Sequence, residues 1–246
     1  MDRPIPVLTS SLLSAVPGVV HAFTGREGGV SPAPYHSLNL GQAPAGDDVT
    51  NVQENVRRLT AQLGAQSLAA VHQVHGSRVV DESEAHPGCQ ADGVISATPG
   101  RFVMVKVADC APVLLARSDG TKVAAVHAGW RGAVARIASQ AVRLLGTPDV
   151  VAAVGPCIGP CCFEVGQEVV DAATAVAGPS VVVRREGRKP HVDLAGIVVA
   201  DLMDAGVACQ RVDVLRGCTV CHGELFSHRR DQGLTGRQAG VIGRVC

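Results

Sequence analysis

The spacing of apolar positions changes along the chain, and each change marks an element. Val49, Val52, Val56, Leu59 and Leu63 recur at helical spacing behind Asp47 and Asp48, either of which can cap a first turn. That predicts a helix over 47–63. Val134, Ile137, Ala138, Ala141 and Leu145 place a second helix over 132–145, ended by Gly146. Two more are predicted over 167–177 and over 191–203, the latter capped around Asp193. Short apolar runs without that period read as strands: 68–80, interrupted at Gln73-Val74-His75-Gly76; 102–107; 150–154; 180–185; and 207–215. The stretch 89–96 turns at Ala91-Asp92-Gly93 into another short strand, and residues 1–20 read as a short strand and turn. His21–Gly41, rich in Gly, Pro and Ser, is too broken for an element, and long loops of that kind usually carry function. The last Gly- and Arg-rich stretch spans 216–240. No repeat or linker divides the chain, so residues 1–246 form one domain of mixed α and β type.

The most informative pattern lies at 108–132. Pro112–Arg117 and Lys122–Val126 flank Ser118-Asp119-Gly120-Thr121, and Asp-Gly between two such runs is a strong hairpin signal. A turn centred on Asp119-Gly120 pairs Arg117 with Lys122 and Pro112 with His127, and extending it sets Cys110 opposite Gly129. Cys110 and His127 then share one face as diagonal neighbours, roughly 7–8 Å apart. A thiolate and an imidazole so placed can hold one zinc ion between them. They can equally act as nucleophile and base. Arg131, at the start of the following helix, offers an anion a cationic side chain near a helix N-terminus.

Composition narrows the function. Hydrophobic residues make up 46% of the 246, enough for a full core, and the formal net charge is zero, which argues against nucleic acid as a partner. Only six residues are aromatic, and five of them (Phe23, Tyr35, Trp130, Phe163 and Phe226) fall in stretches that carry candidate chemistry, as stacking surfaces for a planar ligand or as fillers of large gaps. No run is long enough to span a membrane, and the interrupted start does not read as an export signal. A cytoplasmic protein with reduced thiols is expected. No feature points to a protein partner.

Other histidines and cysteines are more ambiguous. Strand alternation sets His72 and His75 on opposite faces, so only one can enter a shared site. Cys157, Cys161 and Cys162 match no cluster signature and are expected to pack as small buried side chains. Cys218-Thr219-Val220-Cys221-His222 fits the haem-attachment pattern, but a mixed α/β chain without an export signal is the wrong setting. A zinc site at Cys218 and Cys221 lacks an obvious second pair.

Several motifs occur in order over nearly the whole chain: Arg26-Glu27-Gly28-Gly29-Val30-Ser31, Pro34-Tyr35-His36-Ser37-Leu38-Asn39-Leu40-Gly41, Gln73-Val74-His75-Gly76, Ala108-Asp109-Cys110 and His127-Ala128-Gly129-Trp130-Arg131-Gly132. They continue with Gly155-Pro156-Cys157-Ile158-Gly159, Glu164-Val165-Gly166 and Phe226-Ser227-His228-Arg229-Arg230-Asp231. In these the chain resembles the YfiH-like family, known also as laccase-like multicopper polyphenol oxidases and as purine nucleoside phosphorylases. The resemblance implies an α/β layered sandwich of mixed sheets flanked by helices, loosely similar to cysteine hydrolases. It also implies a zinc ion on His75, Cys110 and His127, which selects His75 over His72. The family usually has Tyr where this chain has His228, and often where it has Phe163.

The implied activity is phosphorolysis of adenosine, inosine and methylthioadenosine, with deamination of adenosine. Zinc lowers the pKa of bound water to about 7, which suits deamination. Phosphorolysis needs an anion site, for which Arg26, Arg131, Arg229 and Arg230 are candidates; Asn39 is a further candidate substrate contact. Cys110, His127 and Asp109 are the candidate catalytic groups, Asp109 as an acid–base or orienting carboxylate. Purine nucleosides and phosphate are then the partners. Copper is the lesser metal candidate, because none of the nine histidines forms a His-X-His pair. A metal-free Cys110–His127 hydrolase editing cell-wall precursors remains the other enzyme reading.

Overall fold

The computed structural model describes residues 4–41 and 46–245; the first three residues of the N-terminal stretch read as strand and turn lie outside them. In chain order the elements begin β1 (Val7–Leu8), α1 (Ser11–Ser14), β2 (Val19–Thr24), α2 (Val49–Leu63) and β3 (Ser67–Ala69). Next come β4 (Val79–Asp81), β5 (Gly93–Ser96), β6 (Arg101–Val107), β7 (Ala111–Arg117), β8 (Val123–Ala128) and α3 (Trp130–Val134). The chain continues through α4 (Ile137–Leu145), β9 (Val150–Val154), α5 (Gln167–Ala177), β10 (Val182–Val183) and β11 (His191–Val192). It ends with α6 (Leu194–Asp204), β12 (Val212–Val214) and β13 (Gln238–Arg244).

Two sheets stack between helical layers. One has the order β1-β2-β13-β6-β3, the other β12-β9-β7-β8-β5-β4. Both are mixed: β3–β6, β4–β5 and β9–β12 pair in parallel, and their other pairs are antiparallel. Period-two alternation sorts the side chains. Leu114 and Ala116 of β7 meet Val103 and Val105 of β6 and Phe23 of β2 between the sheets. Val113 and Leu115 face the opposite way, against α4, α5 and α6. Phe102 and Met104 face outward under Leu59 of α2 and Leu38 and Leu40 of the long loop. The layers are therefore helix and loop, sheet, sheet, helices, the sandwich of mixed sheets expected from the motifs.

The hairpin forms as the turn chemistry dictates, with Pro112 opposite His127 and the Arg117 N–H donating to the Lys122 carbonyl. Helix α2 starts at Asp48, whose carboxylate accepts the Thr50 N–H at 2.8 Å, and stops at Gly64 in the left-handed region (φ 70°).

Several expectations fail for identifiable reasons. His21–Thr24 belongs to β2 rather than to the loop. The run 68–80 splits into β3 and β4, which join different sheets. The Gln73 amide pairs with both backbone groups of Lys106 at 2.8 and 2.9 Å, and the chain turns away there. The helix over 132–145 begins earlier and breaks at Arg136 (φ 60°). Asp201, fully buried in α6, accepts from the Ser139 N–H at 3.1 Å and its hydroxyl, capping α4 from outside and setting the break. The runs 180–185 and 207–215 shrink to β10 and β12, each entered through a 3₁₀ turn. Strand β13 carried no readable pattern, because Gly240 and Gly243 interrupt it. A Cβ on Gly243 would stand 2.2 Å from the Phe102 ring.

Candidate metal centre and cavity

The open end of the β7–β8 hairpin carries the site. Cys110 precedes β7, and His127 is the penultimate residue of β8. His75 arrives from the turn between β3 and β4. Donor atoms of His75, Cys110 and His127 all lie within 4.8 Å of one another. Cys110 Sγ is 3.9 Å from His75 Nδ1, and the two imidazoles meet edge to face with centroids 4.8 Å apart. A zinc ion bonding nitrogen at about 2.05 Å and sulfur at about 2.3 Å in a tetrahedron would set that pair at about 3.6 Å. Gly129 shows the space reserved at this vertex: a Cβ there would stand 2.9 Å from His75 Nδ1 and 3.3 Å from Cys110 Sγ. The donor set therefore fits a metal ion.

Asp92 builds the centre from behind. Its fully buried carboxylate accepts the backbone N–H groups of Val74 (3.3 Å), His75 (2.9 Å) and Gly76 (2.7 Å). Three successive N–H groups converging on one anion bring His75 into the left-handed region at φ 59°. The same carboxylate accepts from His127 Nδ1 at 2.7 Å, which leaves Nε2 for a ligand, a carboxylate–histidine arrangement common behind metals. Burial alone would raise the Cys110 thiol, but the His127 and His75 rings bring it down to about 6. Burial alone would lower His127, but the Cys110 thiolate and Asp92 lift it to about 9. The pairing favours the thiolate of Cys110, the form that ligates metal or attacks carbon.

The predicted site residues separate into two groups. Cys110, His127, His75, Asp109, Arg131 and Arg229 all line one cavity of about 810 Å³. His72 lines it too, because the segment is a turn and strand alternation does not apply. Asn39 is fully buried elsewhere: its Oδ1 accepts the N–H groups of Gly41 (3.1 Å) and Arg237 (2.9 Å), and its Nδ2 donates to Asp47 (3.0 Å). Arg26 opens on a separate, smaller cavity, its Nε donating to the His36 carbonyl at 2.8 Å and its guanidinium over the Phe226 ring. Arg230 is tied to Asp231 and to the carbonyls of Thr219, His222 and Leu225. Of the aromatics, Trp130 and Phe163 line the cavity, whereas Phe23, Phe226 and Tyr35 are buried away from it.

Asp109 sits at φ 93°, outside the comfortable range of an L residue, and its carboxylate holds the wall in place. It accepts from the Thr219 and Ser227 hydroxyls and, at 2.7 Å, from the Arg229 N–H. That placement fits an orienting carboxylate. Arg131 projects from α3 with its guanidinium 4.4 Å from the Trp130 ring. Lys106 and Arg237 join the cavity lining, and neither was singled out in the sequence. Burial lowers the pKa of each. The signal for Lys106 was present: it is the charge inside an otherwise apolar strand core. His228 and Phe163 both line this cavity. Of the three cysteines expected to be buried, only Cys157 is; Cys161 is exposed and Cys162 half-buried.

Residues 20–245 match the family described as multi-copper polyphenol oxidoreductase laccase. The chain belongs to that family, the YfiH family. A Deinococcus radiodurans protein named purine nucleoside phosphorylase is 42% identical over 97% of this chain and 93% of its own length. Escherichia coli YfiH, also named a purine nucleoside phosphorylase, is 40% identical over 92% of this chain and 93% of its own. The crystal structure of YlmD from Geobacillus stearothermophilus superposes with a TM-score of 0.88 at 32% identity, covering 96% of this chain and 94% of that one. That of a Neisseria meningitidis DUF152 protein gives 0.89 at 33%, covering 99% and 100%. The copper in the family description is compatible with two imidazoles and a thiolate, as is zinc. Among the described residues, no helix of this YfiH-family chain is long and apolar enough to cross a membrane.

Proposed function

We propose that this chain is a zinc-dependent purine nucleoside phosphorylase acting on adenosine, inosine and methylthioadenosine, and that the same site deaminates adenosine. One observation carries the reading: the His75–Cys110–His127 donor set opens into a cavity that also holds Lys106, Arg131, Arg229 and Arg237. A volume of about 810 Å³ falls in the usual range for small-molecule sites. Three protein ligands leave an open position, the pattern of a catalytic ion, which when bound supplies Lewis acidity. The relatives named purine nucleoside phosphorylase support the phosphorolysis part of this reading.

The chain's own groups have distinct tasks. Arg131 and Arg229 hold phosphate, their planar forks matching its oxygens, and Lys106 and Arg237 add charge to the same wall. Trp130 and Phe163 flank the planar base. In the reaction a phosphate oxygen bonds to ribose C1′ as the C1′–N9 bond breaks, and the purine departs carrying the electron pair and gains a proton. Asp109 keeps Arg229 in place. The test is release of hypoxanthine and ribose 1-phosphate from inosine, with and without phosphate, on protein of measured metal content. Metal-loaded protein that shows no phosphate-dependent release refutes the reading.

A metal-free hydrolase is the second reading, and the Cys110–His127–Asp92 chain favours it, since thiolate, imidazole and orienting carboxylate stand in series. Metal-stripped protein that keeps full activity and loses it on alkylation of Cys110 would select this account.

A further inference from the structure

Two loops far apart in sequence meet beside the cavity and bring four cysteines together. Cys161 and Cys162 follow β9, and Cys218 and Cys221 follow β12. All four sulfurs lie within 4.8 Å of one another. Cys221 Sγ is 3.5 Å from Cys162 Sγ and 3.7 Å from Cys161 Sγ. One zinc ion bonding four sulfurs at about 2.3 Å sets tetrahedral sulfurs about 3.8 Å apart. An iron–sulfur cubane would hold them farther apart than that. We propose that Cys161, Cys162, Cys218 and Cys221 form a second metal site, a closed tetrathiolate site for structural zinc.

The surroundings are built for a thiolate cluster. The Gly159 N–H donates to Cys218 Sγ at 3.3 Å. A Cβ on Gly159 would stand 3.3 Å from Cys161 Sγ and 3.2 Å from Cys218 Cβ, so glycine keeps the space clear. Hydrogen bonds to sulfur from backbone N–H groups are a usual support for metal thiolates. Two arginines brace the loops that carry the sulfurs: Arg229 donates to the Cys162 carbonyl at 3.4 Å and Arg230 to the Thr219 carbonyl at 2.8 Å. The clamp has a consequence for the wall of the cavity. Thr219, Ser227 and the Arg229 N–H all hold Asp109, and Phe163 follows Cys162 directly. An ion joining the two loops would fix Asp109, Phe163 and Arg229 relative to one another. Four protein ligands leave no open position, so the ion takes no part in chemistry.

The site goes beyond the proposed activity; the total ion count also rests on zinc at the first centre, whereas the His75→Ala/His127→Ala arm tests the cysteine site alone. Full-length protein purified under reducing, anaerobic conditions is analysed for metals; two zinc ions per chain are expected. The double variant Cys218→Ser/Cys221→Ser should fall to one. His75→Ala/His127→Ala leaves the four cysteines untouched, so it keeps the test decisive if the serine variant fails to fold. It should also retain one ion, and after exchange with cobalt should show the intense sulfur-to-metal charge transfer of an all-thiolate shell. Metal-free His75→Ala/His127→Ala protein, a cobalt spectrum without that band, or a disulfide among the four in the purified protein would each overturn the assignment.

Discussion

Asp92→Asn tests whether His127 is held as a ligand by the carboxylate behind it. The carboxylate accepts four N–H groups, three from residues 74–76 and one from His127 Nδ1 at 2.7 Å. An amide cannot serve both sets. If its oxygen faces the backbone N–H groups, its NH₂ faces His127 Nδ1, which must then accept, and the ring proton moves to Nε2. That is the atom needed for the metal. If the oxygen faces His127, the NH₂ opposes the N–H groups that hold His75. Either arrangement loses at least one charge-assisted hydrogen bond, worth about 1.5–3 kcal/mol. Expressed in ion binding, this is roughly a ten- to hundredfold weaker dissociation constant. The assay is a competition titration against a chromogenic chelator, with His75→Ala in parallel to identify which step belongs to this vertex. Circular dichroism checks that the variant is folded. If Asp92→Asn and Asp92→Ala both bind the ion at this vertex within about twofold of the parent, Asp92 merely braces the turn and the orientation argument is wrong.

Four further outcomes are expected. Arg131→Ala should lower phosphate-dependent hypoxanthine release from inosine about ten- to a hundredfold while conversion of adenosine to inosine falls much less; parallel losses with metal retained would assign Arg131 to the purine or the fold. His72→Ala should keep the ion and most activity, whereas His75→Ala should lose both; equal losses would show that His72 ligates as well. Gly129→Ala should abolish metal binding at this vertex without unfolding the chain, because its Cβ would stand 2.9 Å from His75 Nδ1; elemental analysis beside a thermal melt decides, and retention of the ion refutes the geometry. Burial lowers His21 to about 4, and its Nε2 accepts the Ser10 N–H at 2.8 Å. The unfolded chain takes up that proton near pH 6.5, so the stabilisation is complete above that pH and is lost as pH falls toward 4, by up to about 3 kcal/mol. The difference between wild type and His21→Gln in urea midpoint should therefore change over that range; a constant difference counts against it.

What the sequence made legible was local. The Asp119-Gly120 turn fixes the register of β7 and β8, which sets His127 opposite Pro112 and Cys110 just beyond the open end of the ladder. Helix α2 was equally plain, since its cap, its period and Gly64 agree. The losses came where distant groups substitute for local ones. The helix after His127 breaks because a carboxylate 62 residues away caps it. The run 68–80 is not one strand because the Gln73 amide takes the place of a ladder partner for Lys106. Strand β13 was invisible because its glycines exist to admit Phe102 and other side chains from neighbouring strands.

The candidate site follows the same division, and the division says where to look in related chains. His75, Cys110 and His127 stood out as donor types in short motifs. Asp92 did not, although it touches two of them, because its role is set by a contact 35 residues away in sequence. About 60 residues separate Cys161 and Cys162 from Cys218 and Cys221, so neither pair points to the other along the sequence. Each half alone is an uninformative spacing; only the meeting of the β9 and β12 loops makes four thiols a site. Those loops also carry Phe163 and Arg229 into the cavity, and they meet at Asp109, the residue next to Cys110. Loss of the cysteine cluster should therefore disturb the Asp109–Phe163–Arg229 wall before it disturbs the His75–Cys110–His127 vertex, because that vertex is braced separately, through Asp92 and the hairpin.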